Sequence, residues 1–306
     1  MMKIWNTAIQ KSDDKTKHVM KTPYQLIITS SLFFLVTLSY GQEPVFLKRS
    51  LSDVSTVTMD ISTNSAHYQP FFGEGDNNSQ IVKCVKRYGH LTIDPDGKSQ
   101  SVVYNNEEQV GYVLEGTGIL YYKDQYIPIS KHDFFYMPAG MEHSYANPRE
   151  SALKVMIMGY ELPKETLNKV TSNLKIANAD GVSFQVLGQH GPTTQFQLLL
   201  GTTESKRDRL AAACQVNSLF VMDFAKGGTN IPHKHEKEEE IYFLLRGHGE
   251  MVAGETPSGE EKRYKVKEGD AFFIPNNTLV GFYSGTKEGE EHARIMAVRS
   301  KLCPLK

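Results

Sequence analysis

The sequence predicts an all-β protein made of two tandem β-barrels joined by a short helical linker, and three observations carry that prediction. Beyond residue 42 the chain is a series of short β-type runs punctuated by Gly, Pro, Asn and Asp, the pattern of sandwiches and barrels. The series occurs twice, with matching landmarks. At 306 residues the chain is longer than one small core needs, so two domains are the natural count.

Residues 1–41 read as a secretory signal. Leu26–Leu38 is an uncharged apolar run, too short to span a bilayer comfortably. Lys21 precedes it and Ser39-Tyr40-Gly41 follows it, which places cleavage before Gln42. The polar stretch ahead of Met20 makes Met20 the expected translation start. An uncleaved membrane anchor is the competing reading. Either way the folded part is exported, to the periplasm or the medium. Export permits disulfides. Three cysteines, Cys84, Cys214 and Cys303, allow at most one internal bridge. They lack metal-type spacing and read as buried apolar thiols.

The first barrel is expected over 43–160, with runs at Ile81–Lys86, Val110–Leu114, Ile119–Tyr122, Phe134–Met137 and Leu153–Met158. A linker occupies 161–174, where Pro163–Leu174 opens on Pro and Glu165 as helices do. The second barrel covers 175–306, with runs at Ser218–Phe224, Ile241–Leu245, Lys262–Val266, Ala271–Ile274 and Ala293–Val298. Ser205–Ala213 fits either a short helix or a loop. Gly116 and Gly118 correspond to Gly247 and Gly249, and Pro138 to Pro275. The separation grows from 131 to 137 residues, which implies six extra residues at the polar turn Glu255–Glu260. With 34 basic and 35 acidic residues, nothing in the charge points to nucleic acid.

The second copy contains GGTNIPHKHEKEEEIYFLLRG. His233 and His235 are spaced i, i+2, so on a strand they share a face. Glu240 reaches the same face from the next strand. Two imidazoles and a carboxylate suit Fe, Mn, Ni, Cu or Zn, and the set matches the facial triad of non-haem iron sites. The alternative is a pair of barrel-lining histidines without metal. If Glu240 points inward, so do Tyr242 and Leu244, and if position 280 points inward, so does Phe282. Tyr242, Val280 and Phe282 are therefore the expected pocket lining. Tyr242 is the candidate proton donor, against the plainer reading of a core tyrosine.

These spacings, with the second motif at Gly269–Pro275, resemble the cupin superfamily, and the duplication resembles the bicupins. The resemblance implies jelly-roll barrels and one divalent transition metal held by His233, His235 and Glu240. Four-ligand cupins take their last ligand from a His where this chain has Val280, which leaves three ligands, or a substitute from Asn276 or Asn277. The first copy keeps the second motif, Pro138, Gly140, His143 and Asn147, but has Val102, Tyr104 and Gln109 in place of His, His and Glu. It is read as degenerate.

The functional expectation is a metal-dependent lyase, isomerase, decarboxylase or dioxygenase. Its substrate would be a small oxygen-rich molecule, such as a sugar acid or a hydroxy- or keto-carboxylate. The alternatives are a non-catalytic sugar or organic-acid binding protein and a storage-type structural protein. The resemblance also implies that two copies can pair as a homodimer through the barrels.

Overall fold

A computed structural model describes residues 46–77, 80–169, 173–188, 190–286 and 292–303. The expected signal segment lies outside the described residues. The first half contains β1 (Leu47–Ser50), β2 (Ala66–Gly73), β3 (Val85–Ile93), β4 (Gly97–Lys98), β5 (Glu107–Glu115), β6 (Thr117–Tyr122), β7 (Gln125–Ser130), β8 (Asp133–Met137), β9 (His143–Asn147) and β10 (Leu153–Glu161). The second contains β11 (Lys175–Asn178), β12 (Thr194–Thr202), β13 (Leu210–Ala213), β14 (Val216–Phe224), β15 (Glu238–Arg246), β16 (His248–Glu255), β17 (Glu261–Lys267), β18 (Asp270–Ile274), β19 (Val280–Ser284) and β20 (Arg294–Lys301).

Each half is a jelly roll made of one large and one small sheet. The large sheets run β11-β8-β5-β10-β3-β2 and β1-β18-β15-β20-β14-β12-β13, and the small ones β4-β9-β6-β7 and β17-β16-β19. The halves exchange edge strands. β1 pairs with β18 of the second barrel, and β11 pairs with β8 of the first. The division at 160/175 expected from the sequence is therefore crossed in both directions. Each exchanged strand covers an edge that would otherwise present unpaired backbone groups.

The large sheets have one face toward their own barrel and the other toward the partner sheet. Strand parity sets which side chains go where. Ile241 and Phe243 join Phe71, Phe72, Tyr88 and Tyr136 in a core shared by the two halves. Tyr242 and Leu244 belong to the second barrel's own core. Burial on both faces explains why Val110–Leu114 of β5 and Ile241–Leu245 of β15 do not alternate with polar residues. Phe71 meets Phe243 edge-on at 5.5 Å across the seam, a geometry worth about 0.5–1.5 kcal/mol beyond area. Glu108, fully buried, accepts the backbone N–H groups of Cys214, Gln215 and Val216 at 2.7–2.8 Å.

Three expectations are corrected. The predicted linker helix is a 3-10 segment, Lys164–Lys169. The Thr166 amide and hydroxyl both donate to the Pro163 carbonyl, and such local bonding competes with α-helix. Of Ser205–Ala213, only Leu210–Ala213 is regular, as strand β13. Cys84 and Cys303 are not isolated thiols. They form a disulfide with a Cα–Cα distance of 5.4 Å, and Cys214 lies outside it. The extra residues of the second copy fall where expected. β6 and β7 are joined by Lys123-Asp124, whereas β16 and β17 are joined by Thr256–Glu260.

Candidate metal centre

The second barrel brings three sequence-predicted donors together. One atom from each of His233, His235 and Glu240 lies within 4.8 Å of the others. Glu240 comes from β15. His233 is fixed by a backbone bridge to Val280 at the start of β19. The turn ahead of His233 is strained. Ile231 has φ 53°, a conformation that β-branched residues rarely adopt. It is held there by an N–H bond to the Thr229 hydroxyl.

That turn aims the Ile231 carbonyl at His233. The Nδ1–H of His233 donates to it at 2.9 Å, so Nε2 carries the free lone pair. Burial lowers the pKa of His233, and its bond to Ile231 opposes this only in part, so the ring stays neutral as a ligand must. The two Nε2 atoms are 3.0 Å apart. Two nitrogens bound at right angles about 2.1 Å from one ion would be separated by about 3.0 Å.

Glu240 supplies the decisive test of fit. It is 2% exposed, and among the described residues no hydrogen bond reaches its Oε2. His235 Nε2 stands 3.4 Å from that oxygen. A buried carboxylate without a cation is costly. Two imidazole nitrogens close beside it make a cation the matching partner, and the donor set suits a transition metal.

Other groups at the site were not singled out from sequence. Glu238 Oε2 lies 3.4 Å from His235 Nδ1 and 3.3 Å from Arg299 Nη1, the arrangement that orients a ligating imidazole. Strand parity with Glu240 places Glu238 on the same face. His190 donates from Nδ1 to the Asn230 carbonyl and packs against His233 with ring centroids 5.0 Å apart. No local pattern flags it. Arg299 arrives through the β20 register, opposite Glu240.

The donors open into a cavity of 20 Å³, about the space of one water. His190, Arg207, Arg299 and Tyr242 line it together with an apolar wall of Phe196, Phe220 and Met222. Of the expected lining, Tyr242 is present, while Val280 and Phe282 fill the core instead, with Phe282 against Phe224 at 4.8 Å. The Tyr242 hydroxyl accepts from Asn230 Nδ2 at 3.0 Å, and burial raises its pKa well above the ordinary value. Asn276 spends its amide on the Glu236 carbonyl, and Asn277, at φ 61°, donates its backbone N–H to His235.

Residues 89–159 and 220–298 each match the family described as the cupin domain. The chain is a bicupin. The bicupin is similar in structure to protein Ylba from Escherichia coli, at 14% identity and TM-score 0.63 over 85% of this chain and 93% of that one. It is also similar to the oxalate decarboxylase of Lactobacillus farciminis, at 12% identity and TM-score 0.60 over 84% and 86%. Identities this low carry the fold alone. An uncharacterised protein of Methanocaldococcus jannaschii matches at 36% identity over 52 residues, 17% of the bicupin. That match spans 37% of the relative's length.

In the first barrel of the bicupin, Val102 bridges His143 as His233 bridges Val280, which confirms the paired positions. The space is filled from within. Arg87 makes two bonds to Glu107, at 3.0 and 3.1 Å, stacks 3.9 Å over the Tyr104 ring, and is 4% exposed. Gln109 donates to the same Glu107 at 2.9 Å. His143 donates from Nδ1 to the Met141 carbonyl, and burial lowers its pKa.

Proposed function

We propose that the second barrel is a metal-dependent enzyme centre in which His233, His235 and Glu240 hold one divalent transition ion, acting on a small oxygen-rich molecule. One observation carries the reading: a buried carboxylate oxygen that no hydrogen bond reaches among the described residues stands beside two imidazole nitrogens 3.0 Å apart. Such an ion supplies Lewis acidity toward a substrate oxygen. The residues of the chain do the rest. Glu238 holds the His235 ring, Ile231 fixes the His233 tautomer, and Asn230 holds the Tyr242 hydroxyl. The apolar wall limits water to about one molecule.

The test is reconstitution with each of Fe, Mn, Ni, Cu and Zn, followed by oxygen-consumption and sugar-acid or decarboxylation screens. Turnover that disappears in His233→Ala/His235→Ala supports the enzyme. A metal-loaded protein inactive in every screen favours a non-catalytic small-molecule binder.

Export belongs to the same proposal. The Cys84–Cys303 disulfide supports it, because such bonds persist in oxidising compartments. Intact mass of the cell-derived protein should show a chain that begins at Gln42.

A further inference from the structure

We infer that the ligand of the second barrel carries a carboxylate or an equivalent anionic oxygen pair, received by Arg207 with Arg299 beside it. This rests on the metal reading above and names the substrate class for that site. Both arginines line the cavity that holds His233, His235 and Glu240. Arg299 is anchored on one side by Glu238 at 3.3 Å and lies over the Phe220 ring at 5.4 Å. Its buried Nε has no hydrogen-bond partner among the described residues. A buried guanidinium N–H without an acceptor is costly.

Arg207 is less committed. Its hydrogen bond to the Ser218 hydroxyl is long, at 3.4 Å, and its ion pair with Asp208 spans 3.6 Å. Asp208 is already satisfied by Ser205 and Ser218. Arg207 therefore keeps most of its five donors for another acceptor, with its side chain 49% exposed at the cavity wall. A planar fork with free donors matches a carboxylate in geometry as well as charge. A neutral sugar hydroxyl can accept from one of these donors but brings neither the charge nor the paired planar oxygens that match the fork.

Acetate and its neutral isostere acetamide are titrated calorimetrically into the full chain. The protein is compared with and without zinc, which has no redox chemistry. The variants are Arg207→Gln, Arg207→Lys and Arg299→Gln, with melting temperature checking the fold. Acetate should bind the zinc-loaded protein, lose about tenfold or more in affinity in Arg207→Gln, and recover part of it in Arg207→Lys. Acetamide should be insensitive to all three. Equal acetate affinity in wild type and Arg207→Gln, with zinc at one equivalent, overturns the inference and leaves the metal site standing. Arg207-dependent acetate binding without zinc uptake supports the anion site and sinks the metal reading.

Discussion

The two barrels solve one electrostatic problem in opposite ways. In the first, Gly159 of β10 lies between Arg87 on β3 and Gln109 on β5. In the second, Arg299 of β20 lies between Ser218 on β14 and Glu240 on β15. The arginine has moved one strand across, and a small residue faces it each time. A Cβ on Gly159 would come within 2.6 Å of the Arg87 side chain and of Gln109 Nε2. In the first barrel the guanidinium stacks on the ring that stands where His235 stands in the second, and the acid next to Arg87 is paired. In the second barrel the arginine is tied to Glu238, and among the described residues no hydrogen bond reaches Glu240 Oε2. One barrel carries its own cation, and the other gathers His233, His235 and Glu240 at the equivalent place.

The largest test removes the internal cation. Arg87→Leu leaves Glu107 buried without its counter-charge, held among the described residues only by Gln109, and should cost about 3–5 kcal/mol in denaturant unfolding. Arg299→Leu should cost about 1 kcal/mol, because its pair with Glu238 is partly solvated, at 20% exposure on both sides. Equal costs would break the comparison.

The disulfide links the two barrels across 219 residues of sequence. Cys303→Ser should lower stability by about 2–4 kcal/mol, and reductant should lower the melting temperature of wild type but not of the variant. An unchanged stability would mean the seam core alone holds the halves.

A third test uses a pair of equivalent positions. His90 stands in the first large sheet where Val221 stands in the second. Burial, reinforced by Lys154, lowers its pKa to about 4. The unfolded chain binds this proton below about 6.5 and the folded chain only near 4. The contribution is therefore complete above pH 6.5 and is lost as pH falls toward 4, by up to about 3 kcal/mol. His90→Val should flatten that limb of the stability profile. A parallel profile would mean the acid sensitivity lies elsewhere.

Much of this was legible because duplication and parity are local. The 131- and 137-residue offsets aligned every ligand position, including Val102 with His233 and His143 with Val280. The inward face of Tyr242 and Leu244 followed from alternation. What was not legible depends on pairing between distant strands. Arg299 and Arg87 acquire their roles only through register, and His190 reaches the site from an irregular segment. The Cys84–Cys303 bridge and the exchange of β1 and β11 depend on how the halves pack, which no local spacing encodes. The linker was misread because Pro and Glu mark helix starts, but here the Thr166 backbond closes a tighter turn.

The central claim is that only the second barrel holds a metal. Metal content per chain, by mass spectrometry after reconstitution, tests it in wild type, Glu240→Gln and Gln109→Glu. The account predicts about one equivalent in wild type, little in Glu240→Gln, and no second equivalent in Gln109→Glu, because Arg87 still fills that barrel. Two equivalents in wild type, or one retained in Glu240→Gln, would contradict it.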